Sequence, residues 1–223
     1  MAGLTLDNLS KTYAAKGQPE VHAVRGVSLE IESGQCLAIT GASGGGKTTL
    51  LMMLAGLVEP TGGSIILCGR SIDRLRPDAR NIAMVFQHDA LYPHLSARKH
   101  LALSLKAERV ERSARNGRIE EIAGQLGISD CLGRKPSALS GGQRRRLALG
   151  RAMVRKADLM LLDEPLVGVD PEMGSQIRDV LRSHHERSGV TTLLVTHDHD
   201  FAAELGDRVV SMSCGSIDDR IGP

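Results

Sequence analysis

The chain has 223 residues, with 28 Lys and Arg against 26 Asp and Glu, and its formal net charge of +2 points to no particular partner. With 41% hydrophobic and 24% charged residues it has room for one buried domain, or a core with an inserted lobe. Cys36, Cys68, Cys131 and Cys214 form no CxxC pair, which argues against a zinc knuckle or disulfide framework and for a reducing compartment. The first residues lack the charged start and apolar run of a signal peptide. No apolar run nears the roughly 20 residues of a spanning helix, so any membrane-crossing part is expected on another chain.

In chain order, residues up to about 33 read as short strands, at 4–6, 23–24 and 27–31, followed by a turn at Ser33 and Gly34. Residues 36–40, CLAIT, form a short apolar run suited to a strand buried on both faces. That run empties into GASGGGKT at 41–48, and residues 47–57 are helix-compatible Leu, Met and Ala. Strand, glycine-rich loop and helix in this order match GxxxxGK[ST], the pattern of a phosphate-binding loop. Its glycines let backbone N–H groups curl around phosphate oxygens, Lys47 reaches the β and γ phosphates, and the Thr48 hydroxyl is placed to ligate Mg²⁺. A glycine-rich turn with a chance Lys-Thr is the bland alternative, and the flanking strand and helix weigh against it.

Residues 98–128 are rich in Ala, Leu, Glu and Arg with few β-branched positions, as in helices, although 101–105 (LALSL) alternates like a strand. Leu139, Ser140, Gly141, Gly142 and Gln143 then precede a credible helix from Arg144. Ser140 stands at its N-cap, and the glycines leave N–H groups open at the positive end of the helix dipole. A second anion site in one chain suits two copies arranged head to tail; a capped helix that binds nothing is the plainer reading. The cluster Arg144, Arg145, Arg146, Arg151 and Arg155 spreads around that helix without interleaved aromatics, which argues against nucleic acid and for a solvated or subunit-facing helix.

A further buried strand, 159–162, ends in Asp163 and Glu164, and another, 191–196, ends at His197. Ligands of open α/β sheets sit beyond the carboxyl ends of the strands, so both acids are expected at the phosphates. Asp163 would hold the Mg²⁺ shell and Glu164 would act as general base on the attacking water. A solvated acidic loop is the alternative when either acid is taken alone. His184, His185 and His199 read as structural.

From end to end, and in motif order, the chain resembles the ABC ATPase (nucleotide-binding subunit) family. Residues 41–48 are similar to its Walker A, 139–143 to its signature, and 159–164 to its Walker B with catalytic Glu164. Met84, Val85, Phe86 and Gln87 are similar to its Q-loop, whose glutamine touches Mg²⁺ and faces the membrane subunits. His197 matches the switch histidine at the γ-phosphate. Tyr13 matches the aromatic that stacks on adenine, a packed surface tyrosine being its alternative.

The resemblance implies an α/β fold, with a P-loop (RecA-like) ATPase core, an N-terminal antiparallel β subdomain and an inserted α-helical subdomain. It implies one ABC ATPase domain over 1–223, with 1–87 and 155–223 as core and 88–154 as the helical insert. Implied catalytic residues are Glu164, His197 and Lys47. The implied nucleotide set is Tyr13, Gly41, Ala42, Ser43, Gly44, Gly45, Gly46, Lys47, Thr48, Thr49, Gln87, Asp163, Ser140, Gly141, Gly142 and Gln143. Thr48, Gln87 and Asp163 would hold the metal. ATP and Mg²⁺ are the implied cofactors. The implied partners are a second cassette, as a homodimer or pair with ATP at the interface, and membrane-spanning transporter subunits, with no nucleic acid. The implied location is the cytoplasmic face of the cell membrane, as a peripheral protein.

Ala42 and Gly45 replace the Pro and Ser common in importer Walker loops, and Val167 stands where the D-loop (166–170) often has Ser or Thr. Residues 91–96, LYPHLS, resemble importers of the sugar, glycerol-phosphate and polyamine type. Those carry a C-terminal β-rich regulatory domain, and this chain stops about where it would begin, as a short member or a truncated one. Two other readings stand beside the importer: a soluble, non-transport ABC ATPase, and a regulatory subunit that binds ATP but barely hydrolyses it.

Overall fold

The computed structural model describes residues 2–15, 17, 19–107 and 110–218. Among these the chain begins β1 (Ala2–Tyr13), β2 (Val21–Glu32), β3 (Cys36–Thr40), α1 (Lys47–Leu54), β4 (Gly62–Leu67), β5 (Arg70–Ser71) and β6 (Ile82–Val85). It continues through α2 (Ala97–Ala107), α3 (Arg112–Gln125), α4 (Gly141–Met153), β7 (Leu159–Asp163) and α5 (Pro171–Ser188). It closes with β8 (Thr191–Val195), α6 (His199–Leu205), β9 (Arg208–Ser213) and β10 (Ser216–Asp218). Two compact units divide it, Met1–Met84 with Ala157–Glu164 and Ser188–Pro223, and Val85–Lys156 with Pro165–Arg187.

In the first unit two sheets share one apolar core. The first has the order β2-β1-β4-β5, with β1 antiparallel to both neighbours. β1 and β2 are 12 residues each, longer than the short pieces expected from the sequence. Register shifts around Leu6, Leu9 and Lys11 interrupt the alternation, so each long strand looks fragmented in one dimension. The second sheet runs β10-β9-β3-β8-β7-β6, with β3, β7, β8 and β9 in parallel register. β3, β7 and β8 are buried along their whole length, which is why residues 36–39, 159–162 and 193–195 read as apolar runs, with Thr40, Asp163, Thr191 and Thr192 buried at the strand ends. Leu4, Ile31 and Ile65 of the first sheet join Leu37, Leu161 and Val195 of the second, with Leu50 and Met53 of α1, in one cluster.

The carboxyl-terminal end of α1 is closed by a side chain that no motif announces. Arg80, only 4% exposed, donates Nη1 to the carbonyls of Met53 (2.8 Å) and Leu54 (2.9 Å). Its Nε reaches Leu75 O at 2.8 Å and its Nη2 reaches Asp73 O at 3.1 Å. A guanidinium thus adds hydrogen bonds to carbonyls of the last helical turn, Met53 O also accepting Gly56 N–H at 3.1 Å, and places positive charge at the negative end of the dipole.

In the second unit α2, α3 and α4 pack on one another, burying Leu101, Leu105, Ile122, Leu126, Leu147 and Leu149. The alternating 101–105 segment lies inside α2. Leu101 and Leu105 share its buried face at i and i+4, while Leu103 between them is 45% exposed. Gly150 lets α4 approach its neighbours closely, since a Cβ there would lie 2.8 Å from Leu126 Cδ1 and 3.2 Å from Leu101 Cδ2.

α5 buries Gly174, Ile177, Leu181 and His184 along one stripe. Burial, with the nearby Arg187 and His185 adding to it and Glu121 opposing, pushes the His184 imidazole down to about 4. In the unfolded chain the ring takes up a proton near its ordinary 6.5, whereas the folded chain refuses it until about 4. The unfolded state therefore binds more protons in that window, and stability falls as pH drops through it, by about 3 kcal/mol at full protonation. In urea titrations at pH 7.5 and 4.5, His184→Leu should lose clearly less stability than the wild type. Equal losses in the two proteins would remove His184 as the source.

Candidate functional site

The first unit gathers most of the expected site at the carboxyl ends of β3, β7 and β8. β3 runs into the loop 41–46, and Gly46, with φ +101°, becomes the N-cap of α1 without any side-chain cap. The first N–H groups of α1 therefore keep their capacity for an external acceptor such as a phosphate oxygen. Lys47 is 6% exposed, and its ammonium donates to Gly41 O (2.7 Å) and Ala42 O (2.9 Å), closing the loop over its own charge. Ala42, Ser43 and Gly44 are exposed, Gly45 is buried and Thr49 half-buried. Gly45 N–H donates to Ala42 O at 3.2 Å, and Gly45 O accepts from Gly215 N–H at 3.0 Å. The β9–β10 hairpin thus braces the phosphate loop from below, a support that no sequence motif signals.

At the end of β7 the Thr48 hydroxyl donates to Asp163 Oδ1 at 3.2 Å, bringing together two of the three expected metal ligands. Asp163 is 2% exposed. Burial raises its carboxyl above the usual range and Glu164 adds to this, while the Thr48 hydrogen bond and Lys47 oppose. A buried carboxylate of this kind gains from a divalent cation, so the donor set fits Mg²⁺.

Glu164 adopts φ +47°, unusual for a residue with a Cβ, and is held there by its N–H donating to Val195 O at 2.9 Å. Its Oε2 lies 2.8 Å from His197 Nδ1 and accepts the His197 N–H at 3.3 Å. The Glu164 side chain is 14% exposed and that of His197 65%, so the carboxylate is sheltered under an imidazole open to solvent. Tyr13 ends β1, is 42% exposed as a residue, and has the Lys11 ammonium 5.1 Å from its ring centroid.

The second unit carries the remaining candidates. Ser140 caps α4 in a reciprocal box: its hydroxyl accepts Gln143 N–H at 3.2 Å, and Gln143 Oε1 accepts Ser140 N–H at 3.0 Å. Gln143 is thereby engaged in shaping the turn. Gly141 is exposed and Gly142 half-buried, with Met173 of α5 so close that a Cβ on Gly142 would fall 2.1 Å from its Cε. Asp170 accepts Met173 N–H at 3.0 Å and so opens α5. Gln87 is exposed. A cleft of about 410 Å³ is lined by Gln87, Asp89, Gly141, Gly142, Arg145 and Asp170 among others.

Of the five arginines read as a solvated or subunit-facing cluster, Arg145 is buried and the other four are partly exposed. Arg144 donates to Leu139 O at 2.8 Å, Arg146 to Met173 Sδ at 3.2 Å, and Arg151 to Ala90 O while stacking over Tyr92 at 5.6 Å. Helical spacing spreads these residues around a cylinder, but neighbouring loops and helices cover it, and the arginines satisfy carbonyls there.

Residues 24–167 match the family described as ABC transporter. The chain belongs to the ABC transporter family. As an ABC cassette it is 44% identical over 218 residues to the sn-glycerol-3-phosphate import ATP-binding protein UgpC 1 of Rhizobium johnstonii, covering 98% of this chain and 58% of that one. It is 43% identical to the sulfoquinovosyl glycerol transport ATP-binding protein SmoE of Agrobacterium fabrum, covering 98% and 60% respectively. The chain thus spans about three fifths of the length of the curated relatives it matches. Among solved structures, a dimeric post-hydrolysis state of the ATP-binding cassette MJ0796 bound to ADP and Pi superposes with a TM-score of 0.87. It is 29% identical and covers 99% of this chain and 100% of that chain. The fold is therefore that of an ABC ATPase cassette, with a parallel-sheet core, an antiparallel β sheet and a helical unit. Among the described residues no helix is long and apolar enough to cross a membrane.

Proposed function

We propose that this chain binds and hydrolyses Mg·ATP as the motor of an importer whose membrane-spanning subunits are separate chains. The observation that carries the reading is the convergence at one sheet edge of an uncapped helix start, the Thr48–Asp163 pair and the Glu164–His197 pair. Thr48, Asp163 and Gln87 would hold Mg²⁺, which supplies charge neutralisation at the phosphates. Loop amides from Gly41 to Gly46 and the Lys47 ammonium orient the triphosphate, and Thr49 extends that cradle. Tyr13 offers its ring to the base. Glu164 accepts the proton of the attacking water, and His197 holds that carboxylate in place and faces the γ-phosphate.

The turn 139–143, with open N–H groups at Gly141 and Gly142 and the Ser140 hydroxyl, suits the γ-phosphate held by a second cassette, so the working form is a pair with ATP between the copies. We read the chain as one ABC ATPase domain, core 1–87 and 155–223 with the helical subdomain 88–154. It would lie on the cytoplasmic face of the membrane, serving import of a polar solute of the glycerol-phosphate or sugar class that the relatives' names carry. Purification of the tagged chain from mild detergent extract should recover polytopic membrane proteins with it. Recovery from cytosol alone, with full ATPase activity, would place it among soluble non-transport ABC ATPases instead.

A further inference from the structure

We infer that Arg145 is a positioning residue for this reaction, tying the Gln87 segment to the helix that begins at the 139–143 turn so that both move as one piece. The inference rests on the functional reading above. Arg145 lies in the second turn of α4, and its side chain is 6% exposed. Its Nε donates to Pro165 O at 2.9 Å, and its Nη1 donates to Phe86 O and Gln87 O, both at 3.1 Å, and to Asp89 Oδ1 at 3.2 Å. One guanidinium therefore collects backbone carbonyls from two loops that have no sheet or helix ladder of their own at those points. Pro165 follows Glu164 directly in the chain, and Gln87 is the residue expected to reach Mg²⁺.

The planar fork suits this work. It carries five donors in fixed directions across three nitrogens, whereas an ammonium presents its three donors from one nitrogen and cannot span carbonyls this far apart. The Gln87 side chain is exposed while its own carbonyl is held by Arg145, so its reach is set by a backbone anchored on α4. A displacement of the 139–143 turn along α4 is thereby passed to Gln87 without an intervening hinge. Arg145 touches neither nucleotide nor metal in this scheme and acts through Gln87 and the turn.

The test uses Arg145→Lys, which keeps the charge but loses the fork, and Arg145→Met, each made alone and with Glu164→Gln. MgADP affinity, which reports the loop 41–48, should stay within about twofold of the parent, while kcat falls at least tenfold in both variants. In the Glu164→Gln background, the ATP concentration needed for dimer formation should rise about tenfold. If the Met variant fails to fold, the Lys variant still decides the matter. Full turnover and unchanged dimer formation in Arg145→Lys would overturn the inference. So would a parallel fall of MgADP affinity and kcat with the folded fraction, because that marks a merely structural arginine. Should Glu164→Gln with Arg145 intact show no ATP-dependent dimer, the paired-cassette reading fails first, and independently of Arg145.

Discussion

Glu164→Gln is expected to lower steady-state ATP turnover by about a hundredfold or more, the usual contribution of a general base. ATP affinity should remain close to wild type, and the variant should accumulate as an ATP-bound dimer. The carboxylate sits 2.8 Å from His197 Nδ1 and is mostly sheltered from solvent, so its basicity is directed at one place. The amide preserves shape and an acceptor oxygen for the His197 N–H, but it has neither charge nor proton affinity. Backbone strain is not altered, since Gln tolerates the φ of +47° no worse than Glu. Phosphate release and size-exclusion chromatography with ATP, read side by side, decide the assignment. Turnover within a few-fold of wild type would remove Glu164 as the base, whereas lost turnover with lost ATP affinity would indicate a collapsed site.

How far the fold and the site are legible in the sequence depends on whether the physics is local. Strand-to-loop junctions at 40–41 and 163–164 announce themselves, because a strand buried on both faces is apolar along most of its length and a phosphate loop must be glycine-rich. The Ser140 cap is equally visible, as the Ser-x-x-Gln spacing carries its own geometry. Long-range support is not. Arg80 reaches from position 80 to the carbonyls of residues 53 and 54, and Arg145 crosses to residues 86, 87 and 165; nothing in the neighbouring sequence distinguishes either from a surface arginine. The role of the β9–β10 hairpin is hidden for a related reason. Its value lies in Gly215 N–H meeting Gly45 O across 170 residues, while its own strands are short and only partly buried.

Gly46→Ala should be among the most damaging single methyl additions in the chain, for reasons that separate it from its neighbour Gly44. Gly46 has φ +101°, and a Cβ there would lie 2.2 Å from Ala23 O and 3.0 Å from Met212 Cε. A side chain in that backbone region costs about 1–2 kcal/mol by itself. The clash adds to it, because the opposing atom is a carbonyl in β2 and cannot swing away like the end of a flexible side chain. Relief requires α1 to leave its start against β2, which also displaces Lys47 and Thr48. A loss of about 3 kcal/mol or more is expected, together with loss of ATP binding. Gly44 has φ +80° but nothing within 4 Å of a Cβ, so Gly44→Ala should cost about 1 kcal/mol and spare the fold. Denaturant midpoints for the two variants, with nucleotide titration of each, provide the comparison. Similar small losses in both would mean that the start of α1 is not locked against Ala23, and that the phosphate loop owes its shape to glycine flexibility alone.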